Sequence, residues 1–185
     1  MQKIISILLF CSTLTMSAQQ DKTYTLNTEK SKLHWKGTYS FLFNDHSGFV
    51  QFKAGQLRTF NGHISGGSFV IDMHSITDEE YRSDRGPIEH LKDGDFFDVS
   101  KFPEASLVIT AVKYNEEYKE HEIEAMLTIK KIAKPIAFRA KVDGPKKRFN
   151  ARFKIDRTRW GIVYNSKLKN EAISDAIEFE ATLFF

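Results

Sequence analysis

The sequence predicts an all-β domain of about eight antiparallel strands, closed into a barrel or folded into a sandwich, with one short helical insert. Three observations carry this. Alternation of apolar and polar residues with period two recurs almost throughout. Turn-forming Gly, Asn, Asp and Pro separate the alternating runs. Sixteen phenylalanines in 185 residues supply a wide apolar interior.

The first long run places Leu33, Trp35, Gly37, Tyr39, Phe41 and Phe43 on one parity, with Lys32, His34, Lys36 and Thr38 on the other. At ~3.3 Å per residue it spans roughly 35 Å, a length that suits a barrel with an elongated bore. Val50, Phe52 and Ala54 alternate next and stop at Ala54-Gly55. Phe69, Ile71 and Met73 follow the Phe60-Asn61-Gly62 turn and Gly66-Gly67. Ile76 to Asp93 loses the alternation and reads as helical, with Thr77 or Asp78 as N-cap ahead of Glu79-Glu80. Gly86-Pro87 divides it into two short helices rather than one.

Leu107 to Val112 is apolar on both parities, which predicts cover on both faces. After Asn115-Glu116, the inward sets are Ile123, Ala125, Leu127, Ile129, then Ile136, Phe138, Ala140, Val142. Beyond Asp143-Gly144-Pro145 come Phe149, Ala151, Phe153, Ile155, and last Ile177, Phe179, Ala181, Leu183, Phe185. The segment His90–Ala105 is a loop of unusual content. Phe96, Phe97 and Phe102 stand among aspartates where a connecting loop is normally polar, so it is predicted to pack onto an apolar surface as a lid at a barrel end.

Residues 1–18 read as a secretory signal: Lys3, an apolar stretch from Ile4 to Cys11, and Met16-Ser17-Ala18 ahead of Gln19. That assigns residues 19–185 to one exported, periplasmic domain. Cys11 lies inside the apolar stretch behind Phe10, which does not fit a lipidation site. It is the only cysteine, so the mature domain has no disulfide and its core must stabilise it unaided. Lys and Arg total 27 against 24 Asp and Glu, a formal charge of +3. This is too balanced for a nucleic-acid partner.

Little points to catalysis. The six histidines form no His-x-His or His-Glu-x-x-His pattern, so no metal is expected. Gly62-His63-Ile64-Ser65-Gly66 places its serine one position late for a nucleophile elbow, and Gly66-Gly67 is no phosphate loop. No cofactor is implied, and Asp93 and Asp95 are explained by capping. Arg157 is the residue that needs an account. Continued alternation points it inward, where a charge requires either a ligand head group or an ion pair with an Asp at the rim.

Four stretches together resemble the YceI-like family of exported lipid-binding proteins: Gly66–Met73 with Ser75-Ile76; His90-Leu91-Lys92 through Asp95–Val99 to Phe102-Pro103; Leu127–Lys130 with Lys134-Pro135-Ile136; and Ile155-Asp156-Arg157 with Trp160-Gly161-Ile162. Trp35-Lys36-Gly37 and His46-Ser47-Gly48 fit its opening strands, so the likeness runs from about Tyr24 to Phe185. The family often has glycine where Lys131 stands and threonine where Ala133 stands; that glycine serves a bulge or turn. The resemblance implies an eight-stranded lipocalin-like barrel whose bore takes a long-chain lipid, a polyisoprenoid or isoprenoid quinone.

The expected function is therefore non-enzymatic binding of such a lipid, as a periplasmic carrier or store. Membrane contact would be transient, and a homodimer is compatible with it. The candidate ligand-binding residues are Trp35, Phe41, Phe43, Phe69, Met73, Phe96, Phe97, Leu127, Phe138, Phe153, Arg157, Trp160 and Phe179. Taken singly, each aromatic is more simply read as core filling. Two alternatives stay open: a small outer-membrane barrel, which shares the alternation, and an enzyme acting on bound lipid through His46 or Asp156.

Overall fold

The computed structural model describes residues 21–39, 45–79, 87–163 and 173–185. Nine strands appear there: β1 Asp21–Thr25, β2 Lys32–Tyr39, β3 Asp45–Phe60, β4 His63–Asp72, β5 Glu104–Asn115, β6 Glu120–Ile129, β7 Ile132–Asp143, β8 Arg148–Asp156 and β9 Ile173–Phe184. All neighbours are antiparallel, in the order β3-β2-β9-β8-β7-β6-β5-β4, and β4 pairs back to β3. The expected eight-stranded barrel is therefore closed. β1 is an addition that pairs with the second half of β3, opposite Gln56–Phe60. The proposed signal segment and the 40–43 end of the first run lie outside the described residues.

Alternation places the apolar parity inside. Leu33, Trp35, Ile123, Ala125, Leu127, Phe149, Ala151, Ile177, Ala181 and Leu183 are all buried. The outer parity carries ion pairs such as Lys154–Glu178 at 2.6 Å and Arg152–Glu180 at 3.0 Å. A barrel spanning an outer membrane would have an apolar outer band; this one is inside out by comparison.

Three expectations are corrected. Ala54-Gly55 is not a turn: β3 runs through it with a bulge between Phe52 and Ala54. One extra residue flips the parity, so Ala54 is exposed and Leu57 and Thr59 turn inward. Leu107–Val112 is covered on one face only, because Val108 is 47% exposed and a bulge between Ile109 and Ala111 resets the parity. The insert is not capped at Thr77 or Asp78. Asp72 caps a 3-10 turn over Met73–Ser75, and Thr77 and Glu79 then donate their backbone N–H groups to Phe49 and Ser47 of β3. The α-helix, α1, is Pro87–Lys92. Its start at Pro87 agrees with the expected break at Gly86-Pro87, proline having no N–H to lose at a helix start; residues 80–86, where the first of the two expected helices would run, lie outside the described residues.

Two-residue turns pin the hairpins. Asn61 and Gly62 both have positive φ between β3 and β4, and Lys130 and Lys131 do so between β6 and β7, with φ of 50° and 62°. This turn geometry suits right-handed strand twist and favours glycine, which accounts for the glycine expected at Lys131. Lys131→Gly should raise stability by about 0.5–1 kcal/mol, read as a higher denaturant midpoint.

The ladder is interrupted twice. β4 pairs with β5 only from Gly67 to Asp72, leaving His63–Gly66 without a β5 partner. His121 of β6 seals that gap: its Nε2 accepts the Ile64 N–H at 3.1 Å. The rings of His63 and Tyr114 pack beside it, 4.2 Å apart. The second interruption lies between β7 and β8, which pair only over Arg139–Asp143 against Arg148–Arg152.

His121 is 3% exposed, and burial, aided by the neighbouring His63, lowers its proton affinity below the ordinary histidine value of 6.5. The unfolded chain then binds more protons than the folded one, so stability falls as pH drops through that value. The melting temperature should decline on going from about pH 7 to pH 5, and His121→Gln should shrink that decline.

Candidate functional site: an apolar bore with one polar end

The barrel encloses a cavity of about 140 Å³, counted as the space open to the centre of a water molecule. Its wall reaches along β9 from Ser174 to Leu183. With ordinary strand rise and tilt that is roughly 20–25 Å of axis.

Of the candidate residues, Trp35, Phe69, Met73, Phe96, Phe97, Leu127, Phe138, Phe153 and Phe179 line this space. Phe138, Phe153 and Phe179 form a continuous row of rings on β7, β8 and β9, with centroids 5.3 and 5.2 Å apart. Phe41 and Phe43 lie outside the described residues. Arg157 and Trp160 are each 0% exposed but do not border the cavity. They belong to the packing that shuts one end of the barrel.

That end is built from the expected plug. α1 lays Ile88 and Leu91 on the core, and the chain then folds back on itself. Phe97 N–H donates to Leu91 O, Val99 N–H to Lys92 O, and Asp98 N–H to Asp93 O. Phe96 is 2% exposed and meets Phe97 edge to face at 4.9 Å. The β6–β7 turn clamps it, with Lys130 Nζ donating to the Phe96 carbonyl at 2.8 Å. Asp98, the left-handed residue at the fold-back, is held well below the usual carboxylate range by its hydrogen bond from Lys101.

Arg157 begins a 3-10 turn, Arg157–Trp160. Its guanidinium donates to Ile162 O at 2.6 Å and Ser174 O at 3.3 Å, meets Asp175 at 3.0 Å, and lies 6.0 Å from the Phe96 ring centroid. The rim ion pair anticipated from the sequence is thus present. Trp160 donates Nε1–H to Leu127 O at 3.2 Å.

The lining has few polar side chains, and Thr38, His46 and Ser174 among them gather at one place, where β2 ends and β3 and β9 begin. Sequence reasoning weighed His46 for a catalytic alternative and Asp78 as an N-cap, and did not connect the two. The Asp78 carboxylate is fully buried and lies 3.3 Å from His46 Nδ1. Gly48 makes room for the segment carrying Asp78, since a Cβ there would sit 1.8 Å from Thr77 O. That same carbonyl accepts Nε1–H from Trp35 at 3.1 Å. Asp156, the other catalytic thought, is an N-cap that accepts from Thr158. Among the described residues no group of three or more His, Cys, Asp or Glu could hold a metal ion.

Phe96→Ala should destabilise by about 3–5 kcal/mol, the cost of emptying a fully buried aromatic site. Phe97→Ala, at a half-buried ring, should cost less. Paired denaturant titrations check the order.

Comparison with known proteins comes to the same architecture. A family model described as the YceI-like domain matches residues 24–185. A UPF0312 protein of Pseudomonas putida (strain W619) is 41% identical over 56 residues, 30% of this chain and 29% of that protein. The match therefore spans less than a third of that relative. The crystal structure of Burkholderia cenocepacia BcnA superposes with a TM-score of 0.72 at 18% identity, covering 85% of this chain and 98% of that one. A Campylobacter jejuni YceI protein gives 0.51 at 15% identity, covering 96% and 91%.

Proposed function

The chain belongs to the YceI-like family, and from that premise we propose that it binds a polyisoprenoid, or another long-chain amphiphilic lipid, in the barrel bore as a periplasmic carrier or store and not as an enzyme. The observation that carries this reading is the lining of the cavity, which is apolar along its wall with its few polar side chains gathered at one end.

The chemistry follows from solvation. Each Å² of hydrocarbon held out of water is worth about 25 cal/mol, so an isoprenoid tail gains most from a sheath that covers it along its length. The row of Phe138, Phe153 and Phe179 offers faces to branched, unsaturated units. Thr38, His46 and Ser174 would meet a head group at the polar end of the bore, the usual division of labour in lipid pockets. An export signal at residues 1–18 would deliver such a protein to the compartment between two membranes.

Native mass spectrometry of the purified protein, with extraction and identification of any bound lipid, tests the reading. A protein that neither carries nor takes up a long-chain lipid would sink it. Ala151 faces the bore, so Ala151→Phe should block lipid uptake. The accompanying loss of stability is about 1–3 kcal/mol of overpacking, small enough for a circular dichroism spectrum to stay native.

A further inference from the structure

The β7–β8 wall differs from the rest of the barrel at the plugged end. Beyond the Arg139–Arg152 pair the ladder stops, leaving Ile132–Phe138 and Phe153–Asp156 with no partner across this seam among the described residues. On β7 this edge carries Pro135, which has no N–H to offer a neighbouring strand. Its carbonyl is covered by a side chain instead, Arg159 Nη2 donating at 3.0 Å. Phe138 and Phe153 flank the seam and also line the bore. What seals the wall above them is the segment Arg157–Ile162, through Trp160 and the Arg159 contact. Opening any fully paired strand edge would break several backbone hydrogen bonds in water-poor surroundings. Opening this one costs ring contacts and a few side-chain bonds.

The outside of the seam is distinctive as well. Ile132 and Val163 are exposed, and a Cβ on Gly161 would lie 3.9 Å from Ile132 Cδ1, which brings the two segments together. The exposed charged residues of 130–138 and 153–163 are Lys131, Lys154 and Arg159, with Lys130 and Lys134 half-buried, against one carboxylate, Asp156. Exposed apolar side chains among cations are what an anionic bilayer surface attracts.

We propose that the lipid chain passes into and out of the bore sideways, through the β7–β8 wall beneath the Arg157–Ile162 segment, from an anionic bilayer against that face. The proposal rests on the lipid-binding reading above and assigns its route. Ala137 and Lys154 are exposed and would stand opposite one another if the ladder continued past Arg139 and Arg152. In a Cys11→Ser background, Ala137→Cys with Lys154→Cys is joined by a short bismaleimide or capped by two molecules of N-ethylmaleimide. Arg152→Cys with Glu180→Cys, across the intact β8–β9 ladder, is the control tether.

The readout is the rate at which each form draws a fluorescent polyprenol from vesicles containing phosphatidylglycerol. The seam tether should slow transfer about tenfold or more, as expected when a gating motion is blocked. The capped and control forms should match the unmodified protein. Equal rates in tethered and capped forms overturn the proposal, and so does equal slowing by the control tether. If no form binds the polyprenol even when mixed with it in detergent, the lipid-binding reading itself fails.

Discussion

A barrel of apolar side chains holds a hydrocarbon only while its end is shut, and here the closure depends on a buried guanidinium. Arg157 is completely covered, yet it is not stranded in a hydrocarbon medium. It faces two backbone carbonyls, a carboxylate and an aromatic ring. Burying a cation is costly without such partners. The arrangement therefore fixes several elements at once: the turn after β8, the start of β9 through Ser174 and Asp175, and the plug through Phe96. Asp175 is itself half in water, which keeps the desolvation cost of the pair below that of a fully interior one.

Around that closure the wall is organised by parity. Two bulges let long strands change which side chains face inward without ending the strand, so one polypeptide rhythm can wrap a narrow bore. Both ladder interruptions are covered by side chains rather than by a further strand. One has a buried histidine taking a backbone N–H; the other has the turn that follows β8. A barrel sealed in this way is stiff along its paired seams and more deformable at two defined places.

The sequence disclosed the inward sets almost completely, because alternation is a local signal and needs no knowledge of partners. It misled at Ala54 and Val108, where a bulge shifts parity through register that only the neighbouring strand dictates. The helical insert was legible as a loss of alternation, and its helix after Gly86-Pro87 as well, but its N-terminal boundary was not. Residues 76–79 are held extended by backbone bonds to β3, a tertiary pairing that overrides the N-cap pattern. At the bore, seven of the proposed lining residues border it as read from parity, and Phe96 and Phe97 as read from the plug. Trp160 does not, because a 3-10 turn breaks the period on which that reading relied. The pairing of Asp78 with His46 was invisible because the two lie 32 positions apart in sequence.

The closing pair of strands sets an order of events in time. β2 is zipped to β9 with Lys32 opposite Thr182 and Gly37 opposite Ile177, so the ring joins segments about 150 residues apart. Contacts of such long reach make for slow folding. Until β9 arrives, β2 and β8 each present a bare edge able to pair with another chain. The chain therefore remains an open sheet for as long as β9 is unpaired. Protection of both edges waits on the ninth strand in chain order, apart from any question of what the finished barrel contains.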